Sequence, residues 1–447
     1  MLRKLLYRFS FFGTRYLYSV LVLAVLISIT AYWQPRLLQI TKIVVLAIVL
    51  MLLVDFLLLY IKKQPIRALR QMAERLSNGD ENNVRLLFEN NYGYPVHVTV
   101  IEELPPQLSQ QSFTTTLSLP AQKQVIWRYT VTPTERGVYE FGNINIIVRG
   151  VLFMIERHIV IEATQRVAVY PAFIQMRRFQ LLAVTNQLND VGSRRLRKLG
   201  NSLEFEQIKE YVTGDDYRNI NWKATARKGS LMVNNFMDER SQQVICVIDK
   251  GRTMKMPFEG MTLLDYAVNA SLVLSNVVLN KQDKAGVVVF GKKLDQLVQP
   301  DKKSTQINFI LENLYRLQSD FTDSDFGNLY TSIRYRIKQR SLLILFTNFE
   351  SMYGMHRQLH YLQQLNNHHT LLVVFFENTE LQALEEQKVT DLEGVYLQTV
   401  AKKFALEKRL IVKELNKYGI MSMLTAPQHL TVNTINKYME IKARQMI

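Results

Sequence analysis

Two long apolar runs open the chain, Tyr16 to Trp33 and Ile43 to Ile61. Each is near the ~20 residues that a helix needs to cross a bilayer. The connector Gln34 to Lys42 is short and makes the pair a hairpin, so residues 1–70 read as two spans, about 16–33 and 43–61. From about Val84 to Tyr170 the pattern shortens to alternating or β-rich runs: Val84 to Phe88, Val96 to Ile101, Phe113 to Leu119, Val125 to Val131, Ile144 to Val148 and His158 to Ile161. Turn material such as Asn90-Asn91-Tyr92-Gly93 separates them, and this spacing predicts a small antiparallel β-sandwich over residues 80–172. Residues 173–240 are charged throughout and show no clear strand rhythm, which predicts an irregular connector.

After Ser241 the chain alternates strand and helix. Val244 to Ile248, Ala285 to Phe290, Leu342 to Phe346 and Leu371 to Phe376 are continuous apolar runs suited to parallel strands buried on both faces, with Ile420 to Leu424 a further candidate. Helical spacing lies between them, at Leu263 to Val278, Ile307 to Leu317, Leu329 to Ile337, Met355 to Leu365 and Val395 to Leu415, and Val432 to Ile441 closes the chain. The prediction for residues 241–447 is a doubly wound α/β domain, with ligands expected beyond the carboxyl ends of its strands.

Charge refines this outline. The formal net charge is +16, yet much of it flanks the spans, where basic residues meet anionic lipid, so it does not by itself imply nucleic acid. Arg3, Lys4, Arg8 and Arg15 precede the first span, Lys62, Lys63, Arg67 and Arg70 follow the second, and the connector holds Arg36 and Lys42. The positive-inside rule then puts both termini in the cytoplasm. A cleaved signal peptide is disfavoured, because the first apolar run is too long and lacks a small-x-small exit. Asp55 is an acid inside the second span, to be explained by a proton relay or by a polar contact within the hairpin or an oligomer. The single cysteine, Cys246, lies in an apolar strand run and reads as a small buried hydrophobe. The run Arg194-Arg195-Leu196-Arg197-Lys198 lacks aromatic interleaving and reads as a solvated face, so no nucleic-acid partner is expected.

The densest polar chemistry is Tyr211 to Arg227, YVTGDDYRNINWKATAR. Gly214 suits a tight turn, Asp215 and Asp216 can cap the following segment or pair with Arg218 and Arg227, and Trp222 is a candidate anchor against the α/β domain. Tyr217, Arg218, Asn221, Lys223 and Trp222 also form a candidate interaction face, since planar Arg and exposed aromatics are what interface hot spots use. The order G-D-D-Y-R-N-I-N-W-K-A-T-A-R resembles the signature of the bacterial domain of unknown function 58 family. What that resemblance implies is a von Willebrand factor A-like fold for the α/β domain, a membrane-anchored protein, and a non-enzymatic role beside MoxR-type AAA+ ATPases and other von Willebrand factor A proteins in assembling or activating complexes at the bacterial inner membrane.

Von Willebrand factor A domains hold a hard cation with a D-x-S-x-S loop, a Thr and an Asp. Here Asp249 and Thr253 are similar to that start, but Gly251 replaces the first hydroxyl, Gly327 stands for the Thr and Asn348 for the Asp. With Lys250 and Arg252 adding positive charge, the expectation is a degenerate site without Mg²⁺ or another cofactor. The G-x-x-x-x-G-K string from Gly286 is a strand bracketed by glycines, because its central residues are strand formers. His356, His360, His368 and His369 read as surface histidines, with no Glu in an H-E-x-x-H arrangement. Two competing functions remain, a hydrolase using Asp215 or Asp216 as general base and a cation-dependent binding module.

Overall fold

A computed structural model of the chain describes residues 11–31, 35–108, 112–178, 199–213, 215, 217–237, 241–319, 321–378 and 392–444. The basic run from Arg194 to Lys198, and Gly214 and Asp216 of the signature, lie outside the described residues. Two units form, Met1–Ala172 and Phe173–Ile447.

In the first unit a short strand, β1 (Phe11–Gly13), leads into helices α1 (Arg15–Ala31) and α2 (Pro35–Tyr60). Helix α2 starts at Pro35, a residue suited to a helix's first turn, so residues 35–42 of the expected connector are helical instead. Gln39–Tyr60 is long and apolar enough to cross a membrane, and the apolar part of α1 is shorter. The β-rich region follows as β2 (Ile66–Gln71), β3 (Arg75–Ser77), β4 (Asn82–Asn90), β5 (Val96–Glu103), β6 (Ser112–Leu119), β7 (Gln124–Val131), β8 (Gly137–Phe141), β9 (Ile144–Arg149), β10 (Ile155–Ile161) and β11 (Gln165–Tyr170). Strands pair as β1-β10-β9-β5-β6, β2-β4-β7 and β3-β11-β8, antiparallel except β3 with β11. Alternating burial along β4, β5 and β9 sends Val84, Leu86, Phe88, Val98, Val100, Ile144 and Ile146 into one shared core.

That core contains an ion pair. Arg70 and Glu102 have side chains 1% and 0% exposed. The guanidinium donates to Glu102 Oε1 (2.7 Å), to Ala163 O (2.5 Å) and to Gly142 O (2.9 Å), so its planar fork is almost fully used. Arg70 is therefore a core residue of β2 and not one of the charges flanking the span.

Asp55 makes its polar contacts outside the helical hairpin. It is fully buried, and its carboxylate accepts the backbone amides of Leu152 (3.1 Å), Met154 (3.1 Å) and Ile155 (3.2 Å) from the β9–β10 turn. The C-terminal carbonyls of α2, left without helical partners, are also satisfied by the β region. Tyr92 donates to Leu59 O (2.8 Å), Tyr94 to Leu58 O (2.9 Å) and Arg157 to Leu59 O (2.6 Å).

The second unit is mixed α/β. An antiparallel pair, β12 (Leu199–Glu210) and β13 (Met232–Met237), brackets the short helix α3 (Trp222–Lys228). This corrects the expectation of an irregular connector. The main elements are β14 (Gln243–Asp249), the hairpin β15 (Pro257–Phe258) and β16 (Met261–Thr262), α4 (Leu263–Asn280), β17 (Lys284–Phe290), β18 (Leu294–Asp301), α5 (Gln306–Tyr315), α6 (Phe326–Arg336), β19 (Leu342–Phe346), α7 (Met352–His368), β20 (Thr370–Phe376), α8 (Leu392–Lys417), β21 (Met421–Thr425) and α9 (Leu430–Ala443). The sheet runs β18-β17-β14-β19-β20-β21, parallel except for the edge strand β18. Val244, Cys246 and Ile248 face a core shared with Ala267 of α4, Ile310 of α5 and Tyr438 of α9. The alternate residues Ile245 and Val247 face Leu329 of α6, Leu362 of α7 and Ile411 of α8. Because β14 is followed by β17 on one side and β19 lies on the other, the strand order reverses between β14 and β19, the point where sheets of this kind place a ligand crevice at the carboxyl ends.

Gly150 tests the Asp55 clasp, because a Cβ there would overlap the Asp55 carboxylate. Gly150→Ala will destabilise the detergent-solubilised protein by about 1–3 kcal/mol, the usual cost of overpacking. In an Asp55→Ala background the same change will cost clearly less, as expected for residues in direct contact. Additive effects in denaturant melts would refute the clasp.

Candidate functional site

Asp249 ends β14 at the reversal of strand order, 2% exposed. Its Oδ1 accepts the Gly251 amide (2.8 Å) and a short bond from the Ser324 hydroxyl. Its Oδ2 accepts the Thr347 hydroxyl (2.7 Å) from the end of β19. Burial pushes the carboxyl above its ordinary range, and the two hydroxyls and the amide pull it back in part.

Of the residues read from sequence as degenerate ligands, only Gly251 contacts Asp249. Thr253 sits in a 3₁₀ turn, Arg252–Lys255, and is not among the partners of Asp249. Gly327 lies inside α6 beside the Tyr361 ring, while the hydroxyl of this loop that reaches Asp249 belongs to Ser324, three positions earlier. A side chain at Gly251 would collide with Ser324 Oγ, so Ser324 fills the space that a hydroxyl at 251 would occupy. The signal for Ser324 was the Ser-Asp pair before α6, but only the folded loop shows which residue turns inward. Asn348 faces another way, its side-chain oxygen accepting Lys408 Nζ (2.5 Å). Lys250 pairs with Asp295 (3.0 Å) and Arg252 with Asp323 (2.9 Å).

Beside this crevice lies a largely apolar cavity of about 310 Å³, lined by Met256, Phe258, Phe376, Phe404 and Pro427 together with Lys408. Lys408 also donates to Phe349 O (2.5 Å), and burial pulls its ammonium down to about 8. Among the described residues no three of His, Cys, Asp and Glu converge as a metal cluster. His369 is buried, contrary to its reading as a surface histidine, and burial lowers it to about 4. It follows α7 directly and precedes β20, where the apolar packing of both elements closes over it. The Cys246 thiol is buried and pushed up to about 12.

The signature folds as a hydrogen-bonded unit of its own. Asn221 caps α3, accepting the Ala224 amide (3.0 Å) and donating to Asn234 of β13 (2.8 Å). Thr225 accepts the Met232 amide (2.9 Å), and Gly229 closes the helix with φ +72°, a conformation that suits glycine. Asp215 pairs with Lys209 (2.8 Å) and accepts the Val212 amide (3.0 Å). Its partner is thus Lys209 and not Arg218 or Arg227, and the hydrogen bond from Lys209, more than any other contact, holds its carboxyl below the usual range. Trp222 does not anchor the unit, being 70% exposed, as is Tyr217. The Arg218 guanidinium lies 5.8 Å from the Tyr217 ring centroid, and Lys223 and Arg227 are exposed.

The linkage of Asp249 to stability has a definite sign. Its folded value lies above the ordinary 3.8, so its contribution is complete below that value and is lost as pH rises through the folded value. Asp249→Asn stays uncharged and keeps one oxygen acceptor. Denaturant midpoints of the variant will therefore fall less than those of the wild type as pH is raised from 4. Parallel pH profiles would count against this assignment.

Residues 207–407 match the family described as protein of unknown function DUF58. The uncharacterized protein YeaD of Bacillus subtilis (strain 168) is 25% identical over 234 residues, covering 51% of this chain and 56% of that protein. The chain thus spans about half the length of the curated relative it matches. The CARDB domain of a Pyrococcus furiosus protein, solved in complex with di-metal ions, is 18% identical and covers 23% of this chain and 86% of that domain, with a TM-score of 0.17.

Proposed function

We propose, taking the match of residues 207–407 to the DUF58 family as premise, that this is a membrane-anchored, non-enzymatic adaptor of the cytoplasmic face of the bacterial inner membrane. Its α/β region is von Willebrand factor A-like, and the signature unit engages a MoxR-type AAA+ ATPase to assemble or activate protein complexes. One observation carries this reading: Tyr217 and Trp222 stand 70% exposed on a scaffold whose turns and cap are fixed by hydrogen bonds. Large rigid aromatics beside Arg and Lys lose little conformational entropy when a partner covers them.

The hydrolase alternative draws less support. A general base working near neutrality benefits from a raised carboxylate, whereas Asp215 is lowered and tied to Lys209. The donor set around Asp249 also fits a hard cation poorly. It offers a single carboxylate with both oxygens already accepting hydrogen bonds, where Mg²⁺ seeks several oxygens and open positions. The crevice serves better as a rigid support for the loops around it.

Two outcomes follow. Trp222→Ala and Tyr217→Ala will shift stability by no more than about 0.5 kcal/mol, as for exposed sites, yet weaken partner binding by about tenfold or more, the scale of a hot spot. Loss of folding with binding retained would reverse the assignment. Millimolar Mg²⁺ or Mn²⁺ will leave the melting temperature of the protein unchanged, because a ligand stabilises only through RT ln(1 + [L]/Kd). A rise removed by Asp249→Ala would establish a working cation site.

A further inference from the structure

The β9–β10 turn has the wrong composition for a turn in water. Surface turns are built from Gly, Pro, Asn, Asp and Ser, but Gly150 is followed by Val151-Leu152-Phe153-Met154. Val151, Leu152 and Phe153 are 46%, 38% and 41% exposed. Apart from that of Val151, the backbone amides of this turn find partners within the protein, with Phe153 donating to Gly150 O (3.1 Å). Leu152, Met154 and Ile155 donate to Asp55, and the Thr14 hydroxyl and amide bond Phe153 O (2.5 Å) and Met154 O (3.1 Å).

The position of Asp55 sets a depth. It lies five residues before Tyr60, the last residue of α2, which at ~1.5 Å per residue is about 7–8 Å along the helix. Around it Leu53, Val54 and Leu57 are exposed apolar side chains on the same helix, continuous with the exposed apolar faces of both helices. Polar groups mark the helix end instead, with Arg157 donating to Leu59 O and Lys62 O and the Tyr92 and Tyr94 hydroxyls on the last carbonyls. An apolar turn whose amides, that of Val151 apart, are satisfied inside the protein suits a lipid environment, since unsatisfied backbone there costs several kcal/mol.

We propose that the turn from Gly150 to Ile155 inserts into the headgroup–acyl boundary of the bilayer, with Val151, Leu152 and Phe153 against lipid and Asp55 as the internal acceptor that replaces water. The β region is then a membrane-seated body held at a fixed height by an acid of the span. This rests on the anchor reading of α1 and α2.

The test uses the full chain in phosphatidylcholine–phosphatidylglycerol vesicles. Cys246 is buried and its thiol is held protonated, so single cysteines can be added without removing it. Val151→Cys and Leu152→Cys are each labelled with an environment-sensitive fluorophore, so that misfolding of one leaves the other. Leu46→Cys reports the span and Lys123→Cys the aqueous side. The inference expects the labels at 151 and 152 to be blue-shifted, protected from iodide and quenched by lipids spin-labelled near the headgroup, while the label at 46 is quenched by lipids spin-labelled deep in the acyl chain. If 46 is lipid-quenched but 151 and 152 respond to iodide like 123, the turn lies in water and the inference is overturned while the anchor stands. If 46 itself is iodide-accessible, the anchor reading fails and the inference falls with it.

Discussion

Buried carboxylates that draw their partners from within the protein organise this chain. Asp55 collects three backbone amides, Glu102 takes the Arg70 fork, Asp249 takes two hydroxyls and an amide, and Asp283 takes Tyr438, Lys442 and the Gln242 amide. Each joins segments far apart in sequence, and each would cost several kcal/mol if stripped of its partners. Asp55 fixes a turn to a helix, Glu102 fixes β5 to β2, Asp249 ties the ends of β14 and β19, and Asp283 holds α9 against the start of the sheet. The apolar cores supply most of the stability, while these contacts decide which arrangement of the elements is adopted.

The same logic separates support from function. Asp249 stands where an α/β sheet of this strand order offers a ligand site, but its oxygens are occupied by the chain itself. The signature unit has the opposite character, with its hydrogen bonds used internally to hold Asn221, Thr225 and Gly229 in place and its aromatics left outside. On the proposed reading, the exposed Trp222 and Tyr217 are the groups that meet another protein.

Much of the fold is legible in the sequence because it rests on hydrophobic period. The continuous runs of β14, β17, β19 and β20 and the alternation along β4, β5 and β9 are signals that burial on two faces or on one must leave. The edge strand β18 and the pair β12 and β13 escaped, since Leu294–Asp301 and Leu199–Glu210 are too polar to show a period. Their hydrogen-bond ladders have no compositional trace. The partners of Asp55 and Asp249 were hidden for a different reason. Backbone amides carry no residue identity, and whether Ser324 or Gly327 faces inward depends on loop geometry that spacing alone does not encode. Conversely, Trp222 looked like an anchor because large aromatics are usually buried, and its exposure is the main functional signal that the structure adds.

In the proposed function the exposed signature aromatics contact a AAA+ ATPase at the membrane. Replacing Trp222 with a photo-crosslinking amino acid in cells, irradiating, and identifying the adduct from isolated membranes tests it most directly. The expected result is a covalent adduct with a MoxR-type ATPase, absent when the crosslinker is placed at Lys123 of the first unit. An adduct confined to other residues of this chain, or to lipid, would contradict it.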